Sequence, residues 1–450
     1  MTALILAALV LVFGPALANP LLVGDELVLI GRAQALRAEG WAALLGWPHS
    51  PNRPLGTVWF AMLSDWFGLR PVPYHMIAFL LHAGVTLAVY RGGLGLGLRR
   101  GAAAGCALAF AVSATRAENV VWLGSSHGLM SAALLVLAGW LYTRPADRGL
   151  RLPLWAAPVL AGVTMWLYQW LPAAVVAAFA YDRWAGRSVR RMWPAYVLFV
   201  LGPAVWFAQV WWGLPAAARP GGLMAPPDVS SAAGWAAAVA RNILAMLSFQ
   251  IVPDVFGASG RTLRPVAVVA SLWFIWRAWR QDAVGRVLVV LLGVAMATFL
   301  LRTLIEPRYL YVAAIPFWWL IGKSASGIQL RPRAGVVLVA AFLAVHAGAI
   351  WVSIKQNRLA GREVRRILST LIRQFPAWPP HSEIVVAGLP VLVDRVGVPV
   401  PLFPHTLTEV LWVTYGDFTL RGWHAGREVV PPPVPGRPRR SLTFDGAVFR

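Results

Sequence analysis

Runs of about twenty apolar residues recur along the chain, near positions 2–22, 72–92, 102–118, 119–141, 153–170, 171–184, 193–213, 264–280, 286–303, 309–323 and 335–353. A helix of that length rises about 30 Å, the thickness of the hydrocarbon layer of a bilayer. Inside lipid every backbone N–H and C=O must be satisfied within the protein, which leaves helices or closed barrels as spanning structures. The expectation is therefore an α-helical polytopic membrane protein of about eleven spans. A hydrophobic content of 58% over 450 residues and a mean hydropathy of +0.64 exclude an ordinary soluble globular chain.

Charge supplies orientation. Lys and Arg number 40 against 18 Asp and Glu, a net charge of +22, and Lys323 and Lys355 are the only lysines. The arginines punctuate apolar runs and do not gather on one basic face, which points to topology signals and anionic headgroups and away from nucleic acid. Arg99 with Arg100, Arg144 with Arg148 and Arg151, Arg187 with Arg190 and Arg191, Arg277 with Arg280, and Arg331 with Arg333 occupy alternate connections, which are expected to be cytoplasmic. The same pattern puts the amino terminus inside and the carboxyl terminus outside. Ala16-Leu17-Ala18 resembles a signal-peptidase site, but no Lys or Arg precedes the apolar stretch and the stretch runs on to Val23, as in an uncleaved first span. Cys106 is a lone cysteine within an apolar run, so any domain outside the membrane folds without an intrachain disulfide.

Beyond residue 353 the pattern changes. Val364, Ile367, Leu368, Leu371, Ile372 and Phe375 recur at helical spacing, as in an amphipathic helix at the interface or against the domain that follows. Glu383 to Ala387, Val410 to Thr414 and Ser441 to Phe444 read as short strands between Pro- and Gly-containing turns. The sequence thus divides into a membrane domain, 1–353, with a first outer loop at 23–71, and a small extracytoplasmic C-terminal α/β domain, 354–450. No repeat of 20 to 50 residues and no similarity between the two halves is present, which disfavours a transporter built from inverted repeats.

Polar residues gather on the expected outer face in four clusters. Gly24-Asp25-Glu26 follows the first span and heads an amphipathic stretch; adjacent carboxylates there can act as a base or hold a divalent cation, or can simply be solvated interfacial acids. Asn52-Arg53-Pro54-Leu55, Trp66-Phe67-Gly68 and Tyr74-His75 form the second, in which Arg53 could clamp a phosphate, with His82 two turns deeper as a packing residue. The third is Arg116, Glu118, Asn119, Trp122, Ser125, Ser126 and His127. Glu118 and His127 are costly in lipid and are expected to line a cavity, the bland alternative being an Arg116–Glu118 ion pair. The fourth, Arg302 with Glu306-Pro307-Arg308-Tyr309-Leu310-Tyr311, suits an anionic ligand at the membrane surface or an interfacial belt of arginine and aromatic side chains.

In that order these residues resemble the GT-C superfamily of membrane glycosyltransferases. Specifically, the chain is similar to membrane O-mannosyltransferases that use dolichyl-phosphate mannose and to their bacterial relatives that use polyprenyl-phosphate sugars. The motifs carrying the likeness are Asp25-Glu26, Arg53-Pro54-Leu55, Trp66-Phe67-Gly68, Tyr74-His75, Leu81-His82, Glu118 with Val121-Trp122, and Glu306 to Tyr311. Ser113-Ala114 stands where relatives often carry His-Pro, Ala78 where asparagine is common, and Tyr168-Gln169 where some carry Lys-Glu.

The resemblance implies a GT-C-like membrane domain in the bacterial inner membrane and an inverting transfer of a hexosyl or pentosyl group from a polyprenyl-phosphate sugar. The acceptor would be a hydroxyl on a glycan, lipid or protein at the outer face. Asp25 would be the base, with Glu26 or Glu118 orienting the acceptor, and Arg53, Arg302, Arg308 and Tyr309 holding the donor phosphate. Tyr74, His75, Asn119 and His127 would line the cavity, and Asp25 with Glu26 would be the candidate ligands of a divalent metal ion, no cofactor being certain. Two other readings stand beside this one: a lipid or polysaccharide transporter or flippase, and an inactive GT-C-like scaffold.

Overall fold

The computed structural model describes residues 1–19, 26–40, 54–143, 156–167, 173–213, 231–253, 257–297, 299–300, 307–326, 328, 332–390, 392–393, 400–402, 407–425 and 430–450. Helices dominate. The amino-terminal part contains α1 (Thr2–Phe13), α2 (Glu26–Ala38), α3 (Pro54–Phe67), α4 (Pro71–Gly95), α5 (Arg100–Val112), α6 (Ala117–Val121) and α7 (Ser126–Thr143). There follow α8 (Ala156–Leu167), α9 (Ala173–Trp184), α10 (Val189–Gly213), α11 (Ala232–Phe249), α12 (Gly257–Gln281), α13 (Ala283–Ala297), α14 (Ala314–Ala325) and α15 (Pro332–Gln374).

Four stretches are long and apolar enough to cross a membrane, namely Pro71–Gly95, Leu123–Thr143, Val189–Ala208 and Gly335–Gln374, and shorter apolar helices pack among them. Their outward faces are apolar too. On α10, Trp193, Val197, Val200, Leu201 and Val205 recur every three or four residues and are all exposed. In water such stripes would be sites of aggregation; against lipid they are the natural solvent-facing surface. The chain is a multi-pass membrane protein.

Inside the bundle small residues allow close approach. A Cβ added to Gly202 of α10 would lie 2.6 Å from the Cα of Gly162 on α8, so the two backbones touch. Cys106 is buried and donates to the Trp318 carbonyl at 3.0 Å, tying α5 to α14. At another junction Asp182 is fully buried and accepts the hydroxyls of Tyr142 at 2.5 Å and Tyr196 at 2.6 Å, with Arg187 at 3.5 Å. One carboxylate thereby joins α7, α9 and α10, and its three partners satisfy the charge that burial would otherwise penalise.

α11 was absent from the expected spans. Arg241, Asn242 and Gln250 depress the hydropathy of a segment that otherwise alternates helically, and Asn242 is buried, donating to the Leu300 carbonyl at 2.8 Å. The polar residue that lowers the sequence signal is thus an interhelical contact.

α15 runs 43 residues without a break, about 64 Å, across the expected domain boundary at 353. Its first half exposes Val336, Val337 and Leu338, as a lipid-facing helix does. In its second half Ala360, Val364, Ile367, Leu368 and Leu371 are buried on one face, where they form the floor of the C-terminal core.

Above that floor lies a parallel sheet in the order β4-β1-β5, made of β1 (Glu383–Ala387), β4 (Arg421–His424) and β5 (Arg439–Thr443). Two further strands, β2 (Leu392–Val393) and β3 (Val400–Pro401), pair antiparallel. Glu383 sits opposite Arg421 on one side and Arg439 on the other, and its buried carboxylate accepts from Arg439 Nε at 2.7 Å. The run Val410 to Thr414, expected as a strand, lies in a helix, α16 (Leu407–Tyr415). A connection between parallel strands needs a crossover, and Leu407, Val410 and Leu411, spaced three and four apart, bury one helical face. The β-branched run is overridden by that tertiary demand.

Candidate functional site

The third sequence cluster forms the centre of the site. After α5 ends at Val112, the chain makes a tight turn at Ala114–Arg116, the short helix α6, and a second turn at Leu123–Ser125 before α7 begins. A side chain at Gly124 would be crowded, since a Cβ there would meet the Trp122 ring at 2.7 Å. Ser113 and Thr115 share a hydroxyl hydrogen bond at 2.8 Å, and the Arg116 N–H donates to the Ser113 carbonyl at 2.8 Å. These bonds fold the segment on itself and leave its edges for other elements.

Glu26 reaches this segment from the first cluster. It opens α2, is 2% exposed, and accepts the Leu123 N–H at 2.7 Å across 97 residues of sequence. The second cluster arrives through α3, which starts at Pro54: Trp59 Nε1 donates to Ser126 Oγ at 3.1 Å, and Phe60 meets the buried His127 ring edge-on at 6.0 Å. Pro307–Leu310 of the fourth cluster packs against both the Ala114–Arg116 turn and α6. Glu26 of the first cluster, the helix α3 that follows Arg53, and the Pro307–Leu310 turn of the fourth cluster thus pack on residues 113–127 of the third.

The supports of this hub are interior histidines. His346 of α15 accepts the Ala114 N–H on Nδ1 at 2.9 Å and donates from Nε2 to the Ile251 carbonyl at 2.9 Å, which fixes its neutral tautomer. His82 of α4 likewise donates from Nε2 to the Ala111 carbonyl at 3.0 Å and accepts the Tyr311 hydroxyl on Nδ1 at 2.6 Å. With both nitrogens occupied, each ring positions backbone and has no proton to offer.

Arg116 differs from its expected role. Its side chain is fully buried, donates from Nη2 to Gln250 Oε1, and lies over the Phe110 ring at 5.7 Å. Nε and Nη1 have no hydrogen-bond partner among the described residues. The neighbouring Glu118 suggested an ion pair; tertiary packing delivers Gln250 of the α11 end instead. Gln250 and His346 were not among the sequence candidates, and a glutamine at the end of an apolar helix and a histidine within one were the available signals.

The remaining candidates take these places. Tyr74 is 1% exposed and its hydroxyl donates to the Gly68 carbonyl at 2.7 Å, closing the α3–α4 corner. His75 is buried with neither ring nitrogen hydrogen-bonded among the described residues. Asn119 is buried on α6, Glu118 beside it is partly exposed, and Tyr309 stacks on Phe299 with ring centres 5.6 Å apart. Asp25, Arg53, Arg302 and Glu306 lie outside the described residues, as does the side chain of Arg308. Among the described residues no three His, Cys, Asp or Glu side chains gather in the manner of a metal site.

Comparison with known proteins finds likeness in fold. The apo state of ArnT from Cupriavidus metallidurans matches at a TM-score of 0.55 and 12% sequence identity, over 92% of this chain and 84% of that one. ArnT from the same organism bound to undecaprenyl phosphate matches at 0.49 and 14%, over 93% and 85%. The archaeal oligosaccharyltransferase AglB from Archaeoglobus fulgidus, in complex with an inhibitory peptide and a dolichol-phosphate, matches at 0.46 and 11%, over 94% of this chain and 65% of that one. No protein-family model and no curated protein matches the chain.

Proposed function

We propose that this chain, which has the GT-C fold of ArnT, is a membrane glycosyltransferase. It moves a sugar from a polyprenyl-phosphate-linked donor to an acceptor hydroxyl at the outer face of the membrane. The observation that supports the reading is the convergence of two distant segments on residues 113–127, with Glu26 bonded to Leu123 at 2.7 Å and the Pro307–Leu310 turn packed on the same segment. ArnT from Cupriavidus metallidurans has been solved bound to undecaprenyl phosphate, and a carrier of that kind is the donor lipid this reading calls for.

In the proposed reaction Asp25 takes the proton of the acceptor hydroxyl as its oxygen attacks the anomeric carbon. The bond from that carbon to the phosphate oxygen breaks, its electron pair stays on the phosphate, and the configuration inverts. The departing polyprenyl phosphate is already an anion, so it requires electrostatic stabilisation more than an acid. Arg53, Arg302, Arg308 and Tyr309 supply that stabilisation, and Glu26 or Glu118 orients the acceptor. Tyr74, His75, Asn119 and His127 line the cavity. The amino terminus is cytoplasmic in this reading, and the C-terminal domain stands outside, over the site. A metal ion held by Asp25 and Glu26 would add positive charge beside the phosphate.

The experiment is transfer from radiolabelled polyprenyl-phosphate sugar in detergent by the wild type and by Asp25→Asn. Loss of transfer in a variant that still folds supports the base. Undiminished transfer removes Asp25 from that role, and movement of intact donor across vesicles without bond cleavage would make the chain a flippase.

A further inference from the structure

Where α15 leaves the apolar bundle it carries arginines that the site above does not use. Arg362, Arg365, Arg366, Ser369, Ile372 and Arg373 line an open groove of about 590 Å³ on this helix. At 3.6 residues per turn they fall within a stripe about 120° wide, opposite the face that Val364, Ile367 and Leu371 bury in the C-terminal core.

The charge of the stripe is compensated only at Arg366. Arg366 is engaged by Glu363, at 2.5 Å, and by the Gly446 carbonyl at 2.6 Å. Arg373 donates to the Ser369 carbonyl and the Thr370 hydroxyl, both at 3.3 Å and both neutral. Arg362, Arg365 and Arg373 have no carboxylate partner among the described residues. Arg362 repels Arg365 and Arg366 at i+3 and i+4, a spacing that destabilises a helix carrying like charges. A merely solvated face would mix signs; this one sets a single glutamate against four guanidinium groups.

Its height is fixed by an anchor. Arg358, on the same side of α15, donates to the Pro15 carbonyl at 2.7 Å and to Asn19 Oδ1 at 3.3 Å, at the end of the first apolar helix. Arg362 and Arg366 lie about 6 and 12 Å further along the axis. The headgroup layer extends roughly 5–8 Å beyond the hydrocarbon on each side of a bilayer; with the end of the first apolar helix taken as the hydrocarbon edge, Arg362 stands level with lipid phosphates and the long side chain of Arg365 is within reach of them.

We propose that this groove binds the phosphate of an anionic membrane lipid, fastening the C-terminal domain to the bilayer it rises from. Arginine suits the task because its planar fork meets a phosphate bidentately. The proposal is independent of the glycosyl-transfer reading and does not depend on which leaflet is concerned.

The test uses full-length protein in nanodiscs of equimolar phosphatidylglycerol and phosphatidylcholine, with retained lipid counted by native mass spectrometry. The wild type is expected to keep phosphatidylglycerol, and Arg362→Gln/Arg365→Gln to hold it on the order of 30-fold more weakly. Arg358, Arg366 and Arg373 are left intact because they make bonds within the protein. Should the double variant melt early, Arg365→Gln alone, expected to weaken retention about fivefold, carries the test. Equal retention by wild type and variant overturns the proposal. Retention that survives added inorganic phosphate supports a lipid source, whereas displacement of the lipid by free phosphate overturns it.

Discussion

Replacing Glu26 by alanine and by glutamine separates what its carboxylate does for the fold from what it does for chemistry. The Leu123 N–H and the Glu26 side chain are both buried, at 1% and 2% exposure, and meet at 2.7 Å. Alanine removes the acceptor and strands a buried donor, which costs about 1–3 kcal/mol, and the bond it deletes was to a charged group, the stronger kind. A loss of about 2–3 kcal/mol is therefore expected for Glu26→Ala. Glutamine keeps a carbonyl oxygen in the same place and gives up only the charge assistance, so Glu26→Gln is expected to cost about 1 kcal/mol. Thermal unfolding in detergent gives the stability order, and donor transfer measured on the same preparations gives the chemical one. If Glu26 orients the acceptor, glutamine lowers transfer far more than its small loss of stability explains. A Glu26→Ala protein within about 0.5 kcal/mol of wild type would refute the reasoning, because that is the effect of a surface change.

Other perturbations test other contacts. Gly31→Val drives a side chain into the Glu409 carbonyl, which a Cβ would approach to 2.5 Å, and is expected to cost about 1–3 kcal/mol by overpacking and to loosen α2 from α16, read as faster proteolysis of the C-terminal domain. Arg116→Met exchanges a buried cation holding one hydrogen bond for an apolar chain of similar length, and is expected to melt at or above the wild-type temperature; a clearly lower melt would show that the guanidinium is a net support. Asp282 is drawn upward by burial but more strongly downward by Lys323 at 2.7 Å and by the Gly285 N–H, so its carboxyl is held below the ordinary aspartate value. A depressed folded-state value contributes stability above the unfolded value that is lost as pH falls through the folded one. The melting difference between wild type and Asp282→Asn is accordingly expected at pH 7 and to shrink below the ordinary aspartate range, and a difference that persists in acid would contradict it.

The membrane architecture was legible because its signal is additive: each apolar window is read by itself, and lipid imposes one solution on all of them. What the windows missed follows from the same logic. Asn242 lowers the hydropathy of α11 because it is buried against the Leu300 carbonyl, a partner no local pattern reveals. Val410 to Thr414 has strand composition and helical structure, since the parallel sheet around it fixes what joins its strands. The polar clusters were legible as clusters, and their common location was not. Contacts such as Glu26 to Leu123, Trp59 to Ser126 and His346 to Ala114 span 97, 67 and 232 residues. Arg116 shows the converse: Glu118, the alternative partner that proximity in sequence offered, gives way to Gln250, which packing supplies from the end of α11.

α2 belongs to two bodies at once. Its first residue is bonded into the 113–127 segment, while Leu27 is counted in the hydrophobic core of the C-terminal domain and Arg32 pairs with Glu409 at 2.9 Å. A chimera that exchanges residues 354–450 alone would therefore leave half of an interface behind. Transplanting that domain between homologues calls for moving residues 26–38 with it, and an antibody fragment that tilts the domain would tug on the same thirteen residues and so on the segment to which Glu26 is bonded.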